Sequence, residues 1–278
     1  MIRERFDLHS KVALVMGGRG LLGRRIAAAL DEMGAGVFAA DLPAVSPAAA
    51  SDPTFRDSGA GIAQLDVDVS QEGSVHECVK TVVSEAGTID ILVYSVTAKT
   101  PDTYAPLTES SLAGWQHVIG AELDGLFLTV REVGKVMEAQ GGGSMTLLSS
   151  IYGVVGNDQR IYQGSNLAQL YGGKEEGDSP KAYSPAVYSA VKGGVISLTR
   201  FLAAYWGEHN VRVNSVSPGG AAHPGENEEF VRRYSEKVPL GRKAEFDEIV
   251  APVVFLASDA ASYITGHNLV VDGGWTAW

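Results

Sequence analysis

Short runs of consecutive apolar residues alternate in this chain with longer stretches whose apolar positions recur every three or four residues. Residues 11–16 form the first run and stop at glycines; residues 21–33 carry the longer spacing and end before Gly34. Residues 36–40 are a second run, ending at Asp41. A short continuous run reads as a strand buried on both faces, and the three-or-four spacing as a helix with one apolar stripe. Strand, glycine turn, helix, strand predicts the opening of a parallel sheet. The same alternation predicts further strands over 62–65, 89–94, 144–149, 211–216 and 268–271. Helices are predicted over 71–86, 107–138, 186–208, 226–237 and 245–258. No linker interrupts the pattern, so it predicts one α/β domain over residues 1–278, a doubly wound parallel sheet of about seven strands with helices on both faces.

Two stretches depart from it. Residues 43–61 are rich in Ala, Pro, Ser and Asp and read as a surface loop. Residues 153–185 are polar, rich in Gly and Tyr, and without periodicity, which marks an insertion.

Composition narrows the partners. The chain has 278 residues, 45% hydrophobic and 20% charged, enough for a single domain with a large core. A net charge of −11 argues against nucleic acid or an anionic membrane as the main partner, though not against a small anionic substrate. Cys78 is the only cysteine, so no intrachain disulfide is possible, and no Cys/His cluster has zinc spacing. Residues 1–10 carry charges and no apolar run, as a secretory signal would require, and the apolar runs fall far short of a membrane span. The expectation is a cytoplasmic protein that binds no metal.

Chemistry gathers at three places. Gly17, Gly20 and Gly23, with Arg19 and Leu22 among them, lie between the first strand and first helix. Glycines at this spacing allow a tight turn and close approach of backbone to a pyrophosphate, which the helix N-terminus then favours. Asp41 ends the second strand eighteen residues after Gly23, where a carboxylate meets ribose hydroxyls and repels a 2′-phosphate. That favours NAD over NADP, although Arg19 pulls the other way. Tyr188 and Lys192 lie four apart in a helical segment, so they share a face. A lysine beside a phenol favours the phenolate, which makes a tyrosine usable as a general base. Ser150 ends a strand between these features.

Together these features resemble the short-chain dehydrogenase/reductase family, with its Rossmann-like domain, over essentially the whole chain. The matching segments are 17–23, Asp68-Val69, Ser149-Ser150, Tyr188 to Lys192, Asn214 to Gly219, and Val271 to Gly274. The resemblance implies that Tyr188 moves the substrate proton, Lys192 supports it and holds the nicotinamide ribose, and Ser150 bonds the reacting oxygen. It places Asp68 and Val69 at the adenine, Ser95 in the turn after the fourth strand, and Pro218 and Gly219 along the nicotinamide.

Two positions depart from the family. Its usual Asn-Asn-Ala-Gly after the fourth strand is here Tyr94 to Thr97, and Glu122 stands where the long helix usually carries an Asn. The segment between Ser150 and Tyr188 is longer than in most members and contains Tyr152, Asp158, Gln159, Arg160, Tyr162 and Lys174. Tyr152, Gln159 and Arg160 are candidate substrate contacts, with Arg160 as the anchor for an anionic or polyhydroxyl group. Residues 151–162 and 266–275 also resemble a subgroup of bacterial sugar and nonulosonic-acid pathways. The expected function is NAD-dependent interconversion of a secondary alcohol and a ketone on a polar, sugar-like molecule, by a homodimer or homotetramer. The alternatives are an NADPH-dependent 3-oxoacyl-type reductase and a non-catalytic NAD-binding or scaffold protein.

Overall fold

The computed structural model describes residues 1–43, 61–171 and 182–278. Seven strands form one sheet: β1 Val12–Met16, β2 Gly36–Asp41, β3 Ala63–Asp66, β4 Ile91–Tyr94, β5 Gly143–Leu148, β6 Val211–Pro218 and β7 Asn268–Val271. Their order is β3-β2-β1-β4-β5-β6-β7, with every pair parallel. The main helices are α1 Gly23–Glu32, α2 Glu72–Ala86, α3 Leu112–Ile119, α4 Gly125–Gln140, α5 Leu167–Tyr171, α6 Ala186–Trp206, α7 Glu228–Ser235 and α8 Phe246–Ala257.

The apolar runs became strands because both of their faces are covered. Along β1, Leu14 and Met16 point into one core with α2, α4 and α6, while Ala13 and Val15 point into another with α1 and α8. Strand alternation thus sorts one run into two layers. Strand order reverses between β1 and β4, so their carboxyl ends open a crevice at the switch point. Met16, Asp41, Tyr94, Leu148 and Pro218 all lie at that end of the sheet. Among the described residues, no helix is long and apolar enough to cross a membrane.

The predicted helix 107–138 is a series of pieces. Ser111 starts α3 by accepting the Gly114 N–H at 2.9 Å, and a π turn, Gly120–Asp124, separates α3 from α4. The Tyr94 hydroxyl donates to the Ala121 carbonyl at 2.7 Å, pinning this widened turn to the end of β4. Such π turns interrupt helices mostly at functional sites, and this one carries Glu122.

The insertion is packed. Tyr152 and Tyr162 join Phe230, Tyr234 and Trp275 in an apolar cluster under α7. Asn166 and Asn227 tie the insertion to the start of α7, the Asn227 amide N–H donating to Asn166 Oδ1 at 3.0 Å. Trp275 is buried against Tyr234 at 4.6 Å between ring centroids, whereas Trp278 is exposed. Lys174 and most of the loop predicted over 43–61 lie outside the described residues.

Candidate active site

The glycine turn closes β1 onto α1. Gly17 has φ of 77°, and a Cβ there would lie 2.7 Å from the Ser95 carbonyl oxygen. A Cβ at Gly23 would lie 2.0 Å from the Gly17 oxygen. The turn therefore admits no side chain at either position, and it leads straight into the N-terminus of α1, where the helix dipole favours negative charge. That is a cradle for an anionic ligand. Leu22 is the N-cap of α1.

Asp41 reaches back to this turn. Its Oδ2 accepts the Arg19 N–H at 3.0 Å and its Oδ1 the Leu42 N–H at 2.8 Å. The Arg19 side chain is held across the ends of β2 and β3. Nη1 donates to Asp66 Oδ1 at 2.7 Å and to the Leu42 carbonyl at 3.0 Å, and Nε donates to Gln64 at 3.1 Å. Its charge is thus already countered by a carboxylate. Asp68 turns inward on its own loop, accepting the Ser70 N–H and hydroxyl at 3.0 and 2.7 Å, and Val69 packs into the core. The Ser95 N–H donates to the Met16 carbonyl at 2.9 Å, which sets the β4 end beside the glycine turn. Gly219 donates to the Val271 carbonyl at 2.9 Å, fixing the loop after Pro218.

Ser150, Tyr188 and Lys192 come together through the contact of α6 with the end of β5. Lys192 Nζ lies 5.3 Å from the Tyr188 ring centroid and donates to the Leu148 carbonyl at 3.3 Å. The Ser149 hydroxyl donates to the Lys192 carbonyl at 2.8 Å, so Ser149 braces α6 from below. Ser150 is buried, and its Oγ accepts the Tyr152 N–H at 3.2 Å. The two neighbouring serines therefore serve different partners, as strand alternation requires. Gly153 rests directly on the Lys192 backbone, which closes the short turn after Ser150 against α6.

Glu122 completes the cluster. Its Oε2 lies 2.9 Å from Lys192 Nζ, and its Oε1 accepts the Ala98 N–H at 2.9 Å. Both side chains of the ion pair are almost wholly buried, at 4% and 1% exposed. Burial lowers a lysine, but the Glu122 charge, the Tyr188 charge and the hydrogen bond to Glu122 together outweigh it and hold Lys192 above the usual lysine value. Burial, and then the Glu122 charge, hold the Tyr94 phenol well above its ordinary range.

The three residues expected to touch substrate have other partners. The Arg160 guanidinium is 79% exposed and binds Asp158 through two bonds, at 2.8 and 2.7 Å. The Gln159 amide is bonded at both ends to the Ser184 backbone. Tyr152 accepts the Tyr162 hydroxyl at 2.7 Å, and burial pushes its phenol far above its ordinary range. These bonds fix the three side chains within the segment between Ser150 and Tyr188. A residue list shows which groups can bond; it does not show the intramolecular partners that take them first.

Sequence reasoning missed two features. One is the role of Tyr94, which fills the usual Asn position and grips the π turn. The other is a buried ion pair between Lys243 and Glu226, capped by the rings of Phe230 and Tyr234, which anchors the segment following Gly219. Spacing in sequence carries no signal for either.

A family model described as enoyl-(acyl carrier protein) reductase matches residues 19–169 and 178–276. The chain is 36% identical over 280 residues to D-threitol dehydrogenase of Mycolicibacterium smegmatis, covering 98% of this chain and 95% of that one. It also matches the crystal structure of a short-chain dehydrogenase from Leptospira borgpetersenii with bound NAD+, with a TM-score of 0.80 and 26% identity over 97% and 94% of the two chains. A gluconate 5-dehydrogenase from Burkholderia cenocepacia, in complex with NADP and tartrate, matches with a TM-score of 0.79 and 26% identity over 99% and 98%. The glycine cradle, the Ser150–Tyr188–Lys192 cluster and these matches agree: the chain is an oxidoreductase enzyme using a nicotinamide dinucleotide, and it belongs to the short-chain dehydrogenase/reductase family.

Proposed function

We propose that the protein interconverts a secondary alcohol and a ketone on a polyhydroxylated, sugar-like small molecule, with NAD as its cofactor. The observation that carries this is the cluster at the carboxyl ends of the sheet, where Lys192 lies 5.3 Å from the Tyr188 ring and its carbonyl accepts the hydroxyl of Ser149, the neighbour of Ser150. When bound, a nicotinamide supplies or accepts a hydride. In oxidation, Tyr188 takes the proton of the substrate hydroxyl; in reduction it returns that proton to the ketone oxygen. Ser150 donates a hydrogen bond to the reacting oxygen and steadies the charge that develops there. Lys192 presents its ammonium beside the phenol, 5.3 Å from the ring centroid, and would hold the nicotinamide ribose.

Several observations support the finer points. Asp41 stands at the end of β2 beside the glycine turn, where its carboxylate suits ribose hydroxyls, and Arg19 is already paired with Asp66. Both favour NAD. The residues of the turn, with Ser95, Pro218 and Gly219 around the crevice, would hold the dinucleotide, and Asp68 and Val69 would flank its adenine. D-Threitol and gluconate, in the names of two relatives, are polyols or their acids, which supports a polar substrate. The insertion lies over the Ser150 turn and would shape the substrate cavity, with Tyr152 in its wall. Exposed aromatics on α4 and α6, namely Phe127, Phe201 and Tyr205, support burial against a second copy of the chain.

The test is turnover of a panel of polyols, aldonates and amino sugars with NAD and with NADP. The expected result is NAD-dependent oxidation of at least one polyol. Absence of turnover across the panel with both cofactors would reject the proposal, and turnover with NADP alone would reject the assignment of NAD.

A further inference from the structure

We propose that Glu122 is a positioning residue, the built-in counter-ion that holds the Lys192 side chain as an ammonium in a fixed place beside Tyr188. The inference rests on the proposed role of Lys192 and deepens it. In the family it resembles, this position usually carries a neutral Asn, which cannot balance a charge; here a carboxylate stands there.

The geometry is that of a structural pair. The carboxylate joins three elements at once: its own π turn, α6 through Lys192 at 2.9 Å, and the segment after β4 through the Ala98 N–H at 2.9 Å. The Lys192 ammonium has the Leu148 carbonyl of β5 on another side, at 3.3 Å. Among the described residues no other carboxylate pairs with it. The remaining titratable groups facing the pair are Tyr188 on α6, Tyr94 on β4, and Lys99 after β4. The Tyr94 hydroxyl is bound to the Ala121 carbonyl. Desolvation lowers Lys99 to about 8 against the opposing pull of Glu122. Neither group can replace the negative charge.

An ammonium buried without a counter-ion drifts toward its neutral form, because burial penalises charge. With Glu122 in place, Lys192 is held above its ordinary value and stays charged as pH rises. Without it, the burial penalty remains, opposed only by the smaller contribution of Tyr188. Lys192 should then lose its proton within the alkaline range where alcohol oxidation is measured.

The experiment compares wild type with Glu122→Gln, Glu122→Asn and Glu122→Asp. It reads kcat and kcat/KM against pH, NADH affinity by fluorescence against pH, and melting temperature. In Glu122→Gln and Glu122→Asn, the loss of kcat should grow with pH, exceeding wild type by about tenfold for each unit by which the Lys192 titration falls. NADH affinity should weaken over the same range. Glu122→Asp, which keeps the charge, should recover much of the alkaline activity. A uniform loss that tracks melting temperature, or a pH profile parallel to wild type, overturns the proposal. If Glu122→Gln fails to fold, Glu122→Asn decides it: an alkaline limb moved below that of wild type supports the counter-ion, and an unmoved limb rejects it. Tyr188→Phe in the same assay separates the two levels. If that variant stays active, the functional reading fails; if it is dead and the Glu122 variants show no pH effect, only this inference fails.

Discussion

Replacing Gly153 by Ala should damage the site through the backbone alone. A Cβ at this position lies 2.6 Å from both the carbonyl carbon and the carbonyl oxygen of Lys192, and 2.9 Å from the Gly193 nitrogen. Non-bonded carbon contacts are optimal at about 3.5–4.0 Å, so the turn after Ser150 must withdraw from α6 by roughly 1 Å. All three atoms are main chain, and no rotamer change relieves them. Gly153 does not have positive φ, so the penalty is crowding and not torsion. Overpacking of this kind costs about 1–3 kcal/mol, which for a chain of this size is a fall of roughly 2–10 °C in Tm. The displacement passes to Ser150, whose carbonyl accepts the Gly153 N–H at 2.9 Å. Misplacing a reacting group by about 1 Å can cost about 10²-fold in rate. The assay is kcat and thermal melting of the purified variant, with Gly156→Ala as control, since a Cβ at Gly156 meets nothing within 4 Å. Wild-type kcat and Tm in Gly153→Ala would refute the claim that the close contact between this turn and α6 sets Ser150.

Asp41→Ser combined with Leu42→Arg should move preference from NAD(H) toward NADP(H), by removing a like charge and supplying a phosphate partner; unchanged selectivity in cofactor titrations would remove Asp41 from recognition. Arg160→Ala should leave KM and NADH affinity unchanged and Tm close to wild type, because an exposed ion pair is worth little; a large rise in KM would show Arg160 to be a substrate anchor. Light scattering at micromolar concentration should give a dimer or tetramer, and Phe201→Glu with Tyr205→Glu, a stacked pair on α6 at 5.9 Å, should weaken it; a monomeric wild type would contradict the interface.

The strands were legible because a parallel sheet covered on both faces selects continuous apolar runs, and 268–271 was read to the residue. Helix ends were less so. The break at Gly120–Asp124 depends on Tyr94 binding a carbonyl 27 positions away, and local periodicity continues straight through it. In the site, residues whose chemistry needs a fixed spacing on one element were readable: the three turn glycines and the Tyr188–Lys192 pair. What spacing cannot show is where long polar side chains find partners. Arg160 and Gln159 lie in the right segment, yet Asp158 and the Ser184 backbone claim them first. The burial of Trp275 depends on Tyr234, which is far away in sequence.

The most direct test of the central claim is Tyr188→Phe, assayed for turnover with NAD and a substrate found in the panel, with NADH affinity measured alongside. The ring remains to pack while the hydroxyl is gone, and general acid–base catalysis is worth about 10²–10⁴-fold. The account predicts a loss of that order in kcat with NADH affinity close to wild type. Turnover comparable to wild type would contradict it and remove Tyr188 from the chemistry.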